Sequence, residues 1–133
     1  NIARALLQAP KVYFTDTGLV KGSDGVRFEN AVAVMLTKQV HFLSDTRGLE
    51  AGLHYIRTKD GAEVDFCLSL DGALTQLVEC KLADSSPHRA LLRFAAQFGA
   101  AEAVQIVRDA RQEERRGPIA VLPAAEWLAR LEV

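Results

Sequence analysis

Apolar residues recur along this chain at two different spacings, and the change from one to the other marks out its elements. From Val26 to Val40, Phe28, Val32, Met35 and Leu36 fall at helical intervals, which predicts a helix with one buried stripe. Residues 43–51 are polar and read as a loop. Gly52–Thr58 alternates weakly and predicts a strand, with a hairpin turn over Lys59–Ala62. Glu63–Leu70 and Leu74–Leu82 alternate as two further strands around Asp71-Gly72. Ser86 as N-cap and Pro87 at the first helical position predict an amphipathic helix to about Phe98. Ala103–Val107 is a strand of the buried kind, residues 108–117 a solvated charged loop, residues 118–123 another strand and residues 124–131 a closing helix. Lys11–Leu19 reads as a short extended piece running into a turn. Three strands in a meander followed by a helical crossover predict an α/β domain, a mixed sheet flanked by helices on both faces.

In a sheet covered on both faces, the hairpin's ionisable residues need an explanation. Glu63, Asp65, Glu79 and Lys81 sit among Val, Phe, Leu and Cys. Their placement depends on the turn. A two-residue turn at Asp71-Gly72 pairs Leu70 with Ala73, sets Asp65 against Val78 and scatters the charges over both faces. A three-residue turn with Gly72 as a left-handed bulge residue pairs Ser69 with Ala73 instead. Val64, Phe66, Leu68, Leu70, Leu74, Val78, Cys80 and Leu82 then share one face, with Gln76 the exception. Glu63, Asp65, Glu79 and Lys81 share the other. Burial pattern sets register, so the bulged three-residue turn is expected.

Three carboxylates on one face repel and need a countercharge, which Lys81 supplies in part. Clustered carboxylates are the hard oxygen ligands that Mg2+ or Mn2+ prefers. Such an ion would polarise a phosphoryl oxygen and generate hydroxide, with Lys81 positioning water or steadying negative charge. Glu29 lies on the apolar side of the first helix, between Leu36 and Val40, where an acid is rarely found unpaired. If that helix packs on the hairpin's polar face, Glu29 points at the same cluster.

Bulk properties narrow the classes. A length of 133 residues suits one domain with one core, and a net charge of -1 argues against a protein that coats duplex DNA by itself. Cys67 and Cys80 form no CxxC and no Cys/His cluster, which excludes a zinc ribbon or disulfide scaffold and fits a cytoplasmic protein. No apolar run approaches the ~18 residues of a membrane span, and no signal-peptide pattern is present. The opening "NIARALLQAP" has no initiator Met and places Ile2 and Leu6 on one side. Residues 1–10 are therefore expected to be the tail of a preceding, truncated helix or domain, and residues 11–133 a single domain.

Asp65, then Glu79-Cys80-Lys81 on the next strand, with Glu29 on a preceding helix, resembles the PD-(D/E)XK nuclease motif. Val64 stands where that motif has Pro. "KVYFTDTGL", "RFENAVAVML", "GAEVDFCL" and "LVECKLADS" together resemble the C-terminal domain of unknown function of prokaryotic AAA+ ATPase-like proteins, from about Lys11 to about Phe98. The resemblance implies a restriction-endonuclease-like core. It implies a metal held by Asp65, Glu79 and the Cys80 carbonyl, with Lys81 acting on the nucleophile and Glu29 as an accessory acid. It also implies a covalently linked ATPase domain upstream, where ATP would bind.

Other residues have plainer readings. Glu63 reads as a solvated neighbour of Lys59, and His41, His54 and His88 as surface or capping histidines. Arg89 and Arg93 read as a solvated helix face, and Arg111, Arg115 and Arg116 as a solvated loop. Gln97 is a candidate for an inward-pointing glutamine, and Phe94, Phe98 and Trp127 read as core. The expected function is a metal-dependent DNA phosphodiesterase coupled to the ATPase. The alternatives are a DNA- or protein-binding module that targets or regulates the ATPase, or a homo-oligomerisation domain.

Overall fold

A computed structural model of the chain describes residues 7–8, 13–99 and 101–133. A seven-stranded mixed sheet runs through these residues in the order β1-β2-β3-β4-β5-β7-β6. Its strands are β1 (Leu7–Gln8), β2 (Ala51–Arg57), β3 (Glu63–Leu70), β4 (Ala73–Lys81), β5 (Glu102–Val107), β6 (Glu114–Arg116) and β7 (Ile119–Pro123). The first four form an antiparallel meander; β4, β5 and β7 are parallel; β6 pairs antiparallel to β7 at the edge. Of residues 1–10, read above as a helical tail, only Leu7 and Gln8 are described, and they pair as a strand with Ile56 and Tyr55. The rest of that stretch lies outside the described residues. The loop expected over 108–117 contains β6, whose three residues are all exposed.

Among the described residues three α-helices accompany the sheet, α1 (Asp24–Arg47), α2 (Arg89–Gln97) and α3 (Ala124–Ala129), with a single 3-10 turn at Thr17–Leu19. The Ser23 hydroxyl accepts from the Val26 N–H to start α1, and Gly48, left-handed at φ 64, ends it. This helix runs well into the expected loop over 43–51, because Leu43 is buried and Ser44–Arg47 form its solvent-facing last turn. The two faces of the sheet hold separate apolar clusters. Val32, Ala33 and Leu36 of α1 and Ala124 and Trp127 of α3 pack with Phe66, Val78, Val104 and Ile106. Ala90, Leu91, Phe94 and Ala95 of α2 pack with Ile56, Cys67, Leu77 and Val107. Helices thus cover both faces. Burying a Phe or Leu side chain in this way contributes about 1.5–3 kcal/mol.

The turn between β3 and β4 differs from the expectation. Asp71 (φ 49) and Gly72 (φ 82) are both left-handed, so the turn has two residues and Leu70 pairs with Ala73. Asp71 tolerates this conformation because Glu50 holds it: the Asp71 N–H donates to the Glu50 carbonyl at 2.8 Å, and the Asp71 carboxylate accepts from the Glu50 N–H at 2.9 Å. The extra residue lies inside β4 instead. Ser69 pairs with Leu74 and Leu68 with Gln76, leaving Thr75 as a bulge. Leu74 therefore faces α2 with Leu77, not α1 with Val78 as the three-residue turn required. Beyond the bulge Phe66 pairs with Val78, so Asp65 comes opposite Glu79; the three-residue turn would have set it opposite Leu77, with Glu79 on the same face.

A second irregularity, between β2 and β3, sets Tyr55 alone against Asp65 and Phe66. It breaks the alternation there. Val64 joins the α2 cluster while Phe66 joins the α1 cluster, which corrects the expectation that they share a face.

Because one extra residue in β4 suffices to align Asp65 with Glu79, deleting Thr75 leaves a regular two-residue hairpin with the same alignment. This variant is expected to fold, with a melting temperature within a few degrees of wild type. Inserting one alanine after Gln76 turns Glu79 and Lys81 toward the α1 cluster. It is expected to abolish cooperative unfolding in thermal circular dichroism, since a buried charge stripped of its partner costs about 3–5 kcal/mol.

Candidate functional site

Three polar residues are buried among the described residues: Asn30, Glu79 and Gln105. Asn30 and Gln105 bond to irregular backbone at Phe14 and at residues 84–88, and Glu79 bridges the two strands of the hairpin. Backbone pairing of β3 with β4 runs to Phe66 and Val78 and stops. In the next position carboxylates bridge the strands. The Asp65 N–H donates to Glu79 Oε2 at 3.2 Å, and the Cys80 N–H donates to Asp65 Oδ2 at 3.0 Å. Lys81 Nζ lies 3.1 Å from Glu79 Oε1. Glu79 is only 4% exposed, and two of these contacts, the Asp65 N–H and the Lys81 ammonium, offset the cost of burying its carboxylate.

Asp65 and Glu79 line a cleft of about 670 Å³ between the start of β3 and the start of α2. Glu63 lines it too, although the sequence suggested only a solvated neighbour of Lys59, and His88, Arg89 and Arg93 close the opposite wall. Arg93 bonds Asp60 at 3.1 Å, tying α2 to the β2–β3 turn.

Glu29 approaches from the other face of the sheet. Its carboxylate accepts from the Tyr13 hydroxyl at 2.6 Å, and the Tyr13 ring lies 5.8 Å from that of Phe66. Asn30, next to it on α1, clamps Phe14: its Oδ1 accepts from the Phe14 N–H at 2.8 Å and its Nδ2 donates to the Phe14 carbonyl at 2.9 Å. Glu29 lines a separate hollow with Tyr13, Val20 and Lys21, not the cleft of Asp65 and Glu79. Its charge still reaches the cluster. Burial, then Asp65, Glu79 and Glu29, push the Cys80 thiol up, and burial, then Glu29 and Asp65, push the Tyr13 phenol up. Cys80 turns its side chain to the α1 face and Cys67 to the α2 face. Burial first, then Asp65 and Glu79, push the Cys67 thiol up as well.

Two residues that sequence reasoning passed over shape the cleft. His88 read as an ordinary surface or capping histidine. Its Nδ1 is buried without a hydrogen-bond partner, 3.7 Å from Glu79 Oε1. Gln105 is fully buried on β5, beside Glu79 in the parallel ladder. Its Oε1 accepts from the His88 N–H at 2.9 Å, and its Nε2 donates to the carbonyls of Ser86 at 2.8 Å and Asp84 at 3.2 Å. This clamp holds residues 84–88 extended. That is why α2 starts at Arg89 after His88, not at Pro87 after Ser86. The available signal was a lone glutamine inside the apolar run "AVQIV". Gln97, the glutamine singled out above, is exposed.

Among the described residues no group of three or more His, Cys, Asp or Glu side chains converges in a way that could hold a metal ion. Asp65 and Glu79 offer two hard oxygen donors on one cleft, and Mg2+ is ordinarily held by one or two carboxylates with water and substrate phosphate completing the shell. The donor set therefore fits an ion shared with a substrate, and not a closed protein cage.

A family model described as a domain of unknown function (DUF4143) matches residues 24–127. No curated protein and no solved structure matches the chain.

Two outcomes follow from this geometry. Gln105→Leu leaves three backbone groups of residues 84–88 without their partner and is expected to lower stability by about 1–3 kcal/mol in urea titrations. The thiols of Cys67 and Cys80 are raised in the folded chain relative to about 8.5 in the unfolded one. Their contribution is complete below that pH and is lost above it, because the unfolded chain releases protons the folded chain keeps. Unfolding free energy is expected to fall between about pH 8.5 and 10 by at most about 1.4 kcal/mol per pH unit for each thiol. Cys67→Ala and Cys80→Ala should each flatten that slope.

Proposed function

The chain belongs to the DUF4143 family, and we propose that in it this domain is a metal-dependent phosphodiesterase acting on DNA. The observation that carries the reading is the arrangement at the β3–β4 seam. Asp65 and Glu79 face each other across the strands, Lys81 sits on Glu79, and the two carboxylates line one open cleft. A meander leading into parallel strands, with helices on both faces, supports a restriction-endonuclease-like version of the mixed sheet. A covalently linked ATPase, the companion expected for this family, would drive or gate access to the cleft.

In this reading Asp65 and Glu79 would hold Mg2+ or Mn2+, with the Cys80 carbonyl nearby on the same strand. When bound, the ion supplies Lewis-acid polarisation of the phosphoryl group and a low-pKa water. The chain's own residues do the rest. The Asp65 and Cys80 N–H groups fix the two carboxylates so that neither must reorganise as substrate enters. Lys81, 29% exposed at its side chain, keeps its ammonium between Glu79 and solvent, where it orients the attacking water and stabilises charge on the phosphoryl oxygens. Glu29 acts at a distance, through Tyr13 and the shared field, and not as a ligand.

One observation favours a second reading, a non-catalytic module that targets the ATPase to DNA or to a protein. Glu79 is already satisfied by the Asp65 N–H and Lys81, so the set is stable without an ion. A nuclease assay on single-stranded, duplex and branched DNA separates the two. Cleavage by wild type that needs Mg2+ or Mn2+ is expected. Asp65→Asn should abolish it, and Lys81→Ala should lower turnover about 10²–10³-fold with little change in DNA affinity. Metal at about 100 times its dissociation constant should raise unfolding free energy by about 2.7 kcal/mol in wild type and by far less in Asp65→Asn. No cleavage and no metal-dependent stabilisation would retire the nuclease reading.

A further inference from the structure

We infer that the start of α2 is a binding wall for the nucleic-acid backbone, with Arg89 and Arg93 as the phosphate-contacting residues and Gln105 as the residue that positions them. The inference takes its substrate class from the phosphodiesterase reading above. The sequence alone suggested a solvated helix face for both arginines. In the folded chain they line the cleft that holds Asp65 and Glu79.

Three features of that wall point to an anionic ligand. Arg89 makes no hydrogen bond or ion pair among the described residues, although it is exposed beside four carboxylates, those of Asp60, Glu63, Asp65 and Glu79, lining the same cleft. Arg93 lies over the Phe94 ring at 5.4 Å, and among the described residues its one ion pair is with Asp60, exposed by 50% and 68%. Such a pair contributes about 0–1 kcal/mol, so a phosphate can take the guanidinium from it at little cost. The two arginines stand four residues apart on α2, hence on one side of the helix. Between them and the carboxylates, the His88 imidazole keeps Nδ1 buried against Glu79 while its ring edge lines the cleft.

Burial of Gln105 supports the same conclusion. A fully buried glutamine on a central strand spends its carboxamide on residues 84–88, the segment that sets where α2 begins. An apolar residue there would pack without any need for polar partners. What the glutamine adds is a fixed placement of His88 and of the arginine that follows it. Guanidinium groups suit phosphate because their planar fork of donors matches its oxygens. A formal net charge of -1 does not oppose this, since Arg89 and Arg93 are gathered on one wall and, of the four carboxylates lining the cleft, Asp65 and Glu79 are those proposed to take up an ion.

The test measures binding apart from cleavage. In the Asp65→Asn background, anisotropy of a labelled oligonucleotide of roughly twenty nucleotides, single-stranded and as a duplex, is followed between about 50 and 200 mM salt. Adding Arg89→Ala or Arg93→Ala should weaken binding and reduce the slope of log affinity against log salt by about 0.7–0.9 each. Arg111→Ala, an exposed arginine outside the cleft, changes net charge equally and should leave the slope unchanged. Absence of binding at low salt, or equal effects of all three substitutions, overturns the inference. Cleavage by wild type with slopes unaffected by Arg89→Ala and Arg93→Ala overturns it while leaving the phosphodiesterase reading intact. Reduced slopes without any cleavage uphold the wall and retire the nuclease.

Discussion

A single buried carboxylate organises this domain. Glu79 sits almost out of water on a strand whose neighbours are apolar, and it is held there by the Asp65 N–H and the Lys81 ammonium. Taking a carboxylate out of water is costly, so those contacts have to be in place whenever the chain is folded. That requirement fixes the alignment of β3 with β4. It explains why an extra residue is carried as a bulge at Thr75, and why strand pairing gives way to carboxylate bridges beyond Phe66. The same seam is where a phosphodiester-cleaving site would need two carboxylates and a lysine, so the device that fixes the register is also the candidate chemistry.

The two faces of the sheet treat that seam differently. On one side Glu29 of α1 meets Tyr13 in a part-buried pair; burial, with the Glu29 charge added to it, raises the Cys80 thiol and the Tyr13 phenol without opening onto the cleft. On the other side α2 is held off the seam by the segment that Gln105 clamps, which leaves a cleft of about 670 Å³. Asymmetry of this kind is what a site requires. One wall supplies rigidity and electrostatic background; the other leaves room for a ligand and presents cations to it.

Near-neutral overall charge made the chain look a poor partner for nucleic acid, and the structure shows why that measure is coarse. Several exposed arginines are paired with nearby carboxylates: Arg108 with Asp24 and Asp109, Arg116 with Glu114, Arg130 with Glu113. Such exposed pairs add little stability. They neutralise part of the surface away from the cleft, so the net charge of the chain says little about the wall that carries Arg89 and Arg93.

What the sequence determined by itself was what side-chain alternation governs where the strands run without a bulge. β3 spans Glu63–Leu70 as its pattern predicts, and Asp65, Glu79 and Lys81 come together because a buried face cannot tolerate them scattered. Helix α1 was legible in its middle from its apolar stripe. What only the tertiary structure decided depends on residues far apart in the chain. The turn at Asp71-Gly72 is tight because Asp71 is bonded to Glu50, and Thr75 then absorbs the extra residue. Val64 and Phe66 part company because β2 sets one residue against two. His88 and Arg89 line a cleft because Gln105, from a strand that pairs only after the crossover, clamps the loop before them. Side-chain direction can be read from neighbours only while a strand stays regular; where a bulge falls, and which group a buried polar side chain meets, depend on residues distant in the chain, which no local pattern records.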